Sequence, residues 1–83
     1  AMDPLSGRVM ECYTDLPGMQ FYTANFLTDE LTGKGGAHYD RRHAFCFETQ
    51  YYPDAVHKGN FPSPIIKAGQ EYKTTTVYKF LVE

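Results

Sequence analysis

The chain predicts an all-β fold built from antiparallel strands. Three observations carry that reading. Apolar and polar residues alternate with period two in several short runs. Proline- and glycine-containing turn signals separate those runs. No stretch of helical length shows the 3.6-residue period of an amphipathic helix.

The elements follow in order. Residues 7–14 alternate, with Val9, Glu11 and Tyr13 facing one way and Met10, Cys12 and Thr14 the other. Asp15-Leu16-Pro17-Gly18 is a turn: proline pre-sets φ and glycine admits the left-handed region. Residues 19–24 read as a second strand, with Gln20, Tyr22 and Ala24 on one face and Met19, Phe21 and Thr23 on the other. The two strands and their turn predict an antiparallel pair. Residues 25–43 hold three glycines, several charges and little periodicity, and predict a long loop. A loop of that length in so short a chain is usually functional or packs on something else. A third strand is predicted over 44–50, where an apolar run leads into Glu48. Pro53-Asp54-Ala55-Val56 predicts a short helical turn with Asp54 as its N-terminal cap. Phe61-Pro62-Ser63-Pro64 must be extended, because a residue before proline avoids the α region. Ala68-Gly69-Gln70-Glu71 turns the chain into the longest strand, about 71–82, with Tyr72, Thr74, Thr76, Tyr78, Phe80 and Val82 along one face.

Composition bounds the function. The 83 residues carry a formal net charge of −2, and 16% of them are aromatic. At most one small domain fits, with a thin core, since a domain of this size buries only about 60–65% of its unfolded surface. The slightly acidic balance provides no basic footprint for nucleic acid or an anionic membrane. No apolar run approaches the roughly 20 residues of a membrane-spanning helix. Aromatic content and low charge exclude a disordered chain. Cys12 and Cys46 are too few for a disulfide scaffold; both sit in apolar strand-like runs and read as free thiols, which favours a cytoplasmic protein. Ala1-Met2-Asp3-Pro4 reads as a remnant of cloning, leaving 5–83 as the native segment, cut from something longer.

Few residues suggest chemistry by themselves. Glu48 closes an apolar strand, and a carboxylate held against apolar groups suits a general base. A solvent-facing strand end is the competing reading. Gln20 and Gln50 each offer a donor and an acceptor suited to sugar hydroxyls, though most strand glutamines are simply exposed. His38, His43 and His57 have no metal-ligand spacing and read as solvated loop residues; Arg41-Arg42 reads as a solvated dibasic pair. No metal and no cofactor are expected, and the glycines form neither a P-loop nor a dinucleotide fingerprint.

Four ordered stretches resemble the C-terminal part of the aldose 1-epimerase (galactose mutarotase) family. They are Gly7-Arg8-Val9-Met10-Glu11 with Tyr13-Thr14; Pro17 to Phe26; Phe45-Cys46-Phe47-Glu48-Thr49-Gln50 with Pro53-Asp54-Ala55-Val56; and Phe61-Pro62-Ser63-Pro64 followed by Ala68 to Tyr72 and Thr75 to Phe80. Each is weak alone, but together and in order they cover nearly all of residues 7–80. The resemblance implies a large antiparallel β-sandwich with an open groove on one sheet. It also implies interconversion of the α and β anomers of free aldohexoses such as galactose and glucose. The general base of the family maps onto Glu48 and a sugar-binding amide onto Gln20. The family's acid histidine, its second sugar-binding histidine, an arginine and an aspartate lie upstream of this segment, and His38, His43 and His57 do not occupy those positions.

Two functions fit these residues. In one, the segment supplies the base of an epimerase and is inactive alone. In the other, it is a non-catalytic carbohydrate-binding or structural β-module derived from the same fold. A segment cut from a closed sandwich exposes sheet edges and an apolar face, so alone it should self-associate or need the remaining part.

Overall fold

The computed structural model describes all of residues 1–83 and contains four strands: β1 (Arg8–Thr14), β2 (Gly18–Tyr22), β3 (Cys46–Gln50) and β4 (Thr76–Val82). Two short 3-10 turns, Lys34–Gly36 and Ala55–His57, are the only helical pieces. The all-β expectation holds. No helix is long and apolar enough to cross a membrane. The chain forms two compact units, Ala1–Gly18 with Thr49–Glu83, and Met19–Glu48.

In the first unit β1 pairs antiparallel with β4 over seven positions, from Arg8 opposite Val82 to Thr14 opposite Thr76. Side chains support the register. Glu11 lies opposite Lys79, whose Nζ approaches its carboxylate to 3.4 Å. The Thr14 and Thr76 hydroxyls meet at 3.2 Å, and Thr76 also reaches Thr49 Oγ1 at 2.8 Å. Backbone bonds continue past both ends: Glu83 N–H donates to the Gly7 carbonyl at 2.8 Å, and Asp15 N–H to the Thr75 carbonyl at 3.3 Å. Gly7 is required here. Its φ is +71°, and a Cβ would run into the Glu83 carbonyl oxygen.

The hairpin expected between the first two strands does not form. β1 pairs with β4, and β2 with β3, in two separate two-stranded sheets. The turn signal at 15–18 is used, but it ends β1 instead of folding β2 back on it. Thr14 Oγ1 accepts from Leu16 N–H at 3.1 Å, while the Asp15 carboxylate accepts from Thr75 N–H at 3.1 Å. Those bonds tie the turn to the residue preceding β4.

Strand ends differ from the sequence expectations for local reasons. The last strand starts at Thr76, not near 71, because β1 stops at Thr14 and residues 71–75 have no strand beside them. The second strand stops at Tyr22, because Ala24 takes a left-handed conformation with φ of +59°. The third begins at Cys46 rather than 44. The loop 25–43 is not featureless: Thr32 bridges His38, and Gly33 N–H donates to the Ala37 carbonyl at 2.7 Å.

The core is as thin as the length predicts. Only Ala24 and Ala55 are buried, and no large side chain is fully enclosed. Phe21, Phe80 and Val82 all remain open to solvent.

Candidate functional site

The two residues singled out by sequence lie on β2 and β3, which are neighbours in one sheet. Their relative placement follows from the rings beside them. Phe21 on β2 and Phe47 on β3 meet at 5.5 Å between centroids, so they share one sheet face; Phe45 closes the cluster at 6.5 Å from Phe21 and 5.4 Å from Phe47. Gln20 and Glu48 are each one residue away from a member of that pair. Strand side chains alternate, so both project from the opposite face. Tyr22 and Cys46 project from it too, by the same alternation. The aromatic cluster is therefore the reverse side of a polar face bearing an amide and a carboxylate.

Both side chains are exposed. The Gln20 amide makes one long contact, Nε2 to the Phe21 carbonyl at 3.5 Å, and is free to meet a ligand. The apolar enclosure expected around Glu48 is absent. Its apolar neighbour Phe47 is adjacent in a strand, and adjacent strand residues point to opposite faces. An apolar run in a strand thus leaves its terminal carboxylate exposed on the other side.

The other candidates are engaged elsewhere. His38 Nδ1 lies 2.9 Å from the Asp29 carbonyl, and His43 Nδ1 accepts from Asp40 N–H at 3.2 Å. His57 Nδ1 pairs with the Asp54 carboxylate. Asp54 stands at the N-cap position of its 3-10 turn, but it is left-handed (φ +58°) and makes no side-chain cap bond. Its carboxylate is committed to His57, three residues on, and the expected cap is not made. Arg41 and Arg42 are exposed, as expected.

The periodicity did not single out Phe26. It follows β2 in the segment read as loop, yet its ring lies nearly parallel to that of Tyr22, at 6.2 Å and 13°. Its N–H donates to Tyr22 Oη at 3.1 Å. An aromatic four residues after a strand tyrosine was the available signal.

Charge elsewhere is structural. Tyr13 Oη donates to the Glu11 carboxylate at 2.7 Å. That bond, with help from Lys79, holds the Glu11 carboxyl below the usual glutamate range, and the same bond raises the Tyr13 phenol. A shallow apolar hollow of about 320 Å³ between Arg8, Val9 and Phe80–Val82 is lined by apolar side chains apart from Arg8 and brings no two chemical groups together.

Comparison with known proteins gives a consistent set of matches. A family model described as aldose 1-epimerase matches residues 1–79. Galactose mutarotase from Bos taurus is 54% identical over 77 residues, and that from Homo sapiens 53%; each match covers 93% of this chain and 22% of the relative. Aldose 1-epimerase from Escherichia coli (strain K12) is 30% identical over 76 residues, covering 89% of this chain and 22% of the relative. The chain thus spans about a fifth of the length of the curated relatives it matches.

Proposed function

The chain belongs to the aldose 1-epimerase family, and from that premise we propose that it contributes the general base and a sugar-binding amide to an enzyme that interconverts the anomers of free aldohexoses. Galactose and glucose are the substrates this reading favours. The observation that carries it is the shared face: Gln20 and Glu48, far apart in sequence, project from the same side of the β2–β3 sheet.

The chemistry needs one base and one acid. Glu48 takes the proton of the C1 hydroxyl as the bond between C1 and the ring oxygen breaks. An acid outside this segment delivers a proton to that oxygen, giving the open-chain aldehyde. C1 then turns about the C1–C2 bond and the steps reverse on its other face. One proton leaves and one is gained, so no cofactor takes part. Gln20 donates to and accepts from hydroxyls remote from C1 and fixes the ring. The rest of the enzyme encloses Glu48 and removes the water that reaches it here. An uncharged sugar needs no electrostatic steering, which suits a net charge of −2. Two free thiols suit a reducing cytoplasm.

The segment alone lacks the acid and does not accelerate mutarotation. Its open apolar side chains, Phe80 and Val82 on β4 among them, make it self-associate. Polarimetry of freshly dissolved α-D-galactose tests the catalytic reading. The full-length protein carrying this segment speeds the approach to equilibrium, and Glu48→Gln does not. Full activity in that variant would overturn the assignment. Light scattering tests association of the segment, with a strict monomer as the contrary result.

A further inference from the structure

The segment after β2 is built around a strained residue. Ala24 is fully buried, yet its φ is +59°, a conformation that costs an L-residue with a Cβ and persists only where its surroundings impose it. Its carbonyl accepts from Leu27 N–H at 3.4 Å and from Arg42 N–H at 3.1 Å, locking the bend. The bend brings Phe26 back over Tyr22. There the ring packs nearly parallel to that of Tyr22 and the Phe26 backbone N–H donates to Tyr22 Oη, anchoring the residue at its backbone, while 87% of it stays exposed. A phenylalanine held firmly and left open is unusual. Mobile exposed rings cost entropy when they bind, and a fixed one does not. Tyr22 projects from the Gln20 face, so the Phe26 ring borders the face that bears Gln20 and Glu48.

We propose that Phe26 is a specificity-determining residue: its open ring stacks on the C–H face of a hexopyranose whose hydroxyls meet Gln20 and Glu48, and it favours galactose over glucose. The inference rests on the epimerase reading above. The preference follows from the sugar. An axial hydroxyl at C4 puts the C3, C4 and C5 hydrogens of galactose on one uninterrupted apolar face, whereas an equatorial hydroxyl in glucose divides them between two faces. An aromatic ring gains most from the uninterrupted face.

The test is steady-state mutarotation by the full-length protein with each sugar, in Phe26→Leu, Phe26→Tyr and Glu48→Gln. Leucine keeps apolar bulk and removes the flat ring; tyrosine keeps the ring. For Phe26→Leu the KM for galactose should rise about three- to tenfold and that for glucose less than twofold, with kcat nearly constant. Phe26→Tyr should match the parent on both sugars. An unchanged KM for galactose, an equal rise for both sugars, or a fall in kcat alone would overturn the proposal. Undiminished turnover in Glu48→Gln would instead sink the reading of Glu48 as the base, so the two failures are separable.

Discussion

The β1–β4 sheet and the β2–β3 sheet are held together by different physics. The first is a long ladder. Seven residue pairs lie in register, a Glu11–Lys79 ion pair and a threonine pair support them, and backbone bonds extend past both ends. The second is short, and packing decides it: Phe21, Phe45 and Phe47 cluster on one side, while a strained bend at Ala24 places Phe26 on the other. The ladder contains no group poised for chemistry, whereas the short sheet bears both candidate site residues. A long ladder commits its side chains to holding register, whereas alternation in a short pair leaves one face free to carry an amide and a carboxylate.

The largest effect that would sharpen this contrast is chemical. Glu48→Gln in the full-length protein should slow mutarotation at least about a hundredfold, the usual contribution of a positioned base. The equivalent change in the ladder, Glu11→Gln, should leave turnover unaltered. Next comes the bend. Ala24→Val places a β-branched residue at positive φ in a site with no free surface, and should destabilise the protein by about 3 kcal/mol in denaturant unfolding. Ala24→Gly should lie within about 1 kcal/mol of the parent, because relief of strain offsets the lost methyl. In the ladder, Gly7→Ala should cost about 2 kcal/mol, through positive φ and contact with the Glu83 carbonyl, seen as a lower denaturation midpoint. Gln20→Ala should raise KM for galactose up to about tenfold, the worth of a hydrogen-bonding side chain to an uncharged group.

The smallest effect is in pH. The bond from Tyr13 holds the folded-state pKa of Glu11 below the ordinary glutamate value, so it stabilises the ladder fully above that ordinary value. The stabilisation is lost as pH falls through the lower folded-state value. Acid titration of thermal stability should show this loss, and Glu11→Gln should remove that part of the dependence. If stability instead fell as pH rose through the same range, the assignment of the bond to the charged carboxylate would be wrong.

Much of this was legible in the sequence. Each of the four strands overlaps a run that period-two alternation marks, because side-chain direction in a strand is a local property, while their ends shift by up to about five residues. Gln20 and Glu48 were found on separate strands for the same reason, helped by the resemblance to a family. Misreadings arose where a local signal stood for a distant partner. Asp15-Leu16-Pro17-Gly18 announces a turn, but not which strand lies beside β1. Asp54 occupies a cap position, but His57 takes its carboxylate. The apolar run before Glu48 suggested enclosure, and alternation sends that run to the other face.

The sequence by itself determined that the chain is all-β, roughly which runs form its strands, and which family its ordered motifs resemble. Periodicity and motif spacing are written along one chain and need no partner. Only the tertiary structure decided that β1 pairs with β4 and β2 with β3, and that Gln20 and Glu48 share a sheet face. It also decided that a bend at Ala24 returns Phe26 to Tyr22 and leaves its ring open. Strand pairing joins residues more than sixty positions apart, as Thr14 and Thr76 are. Such contacts form where competing partners are weighed across the whole fold, and no local pattern encodes that choice.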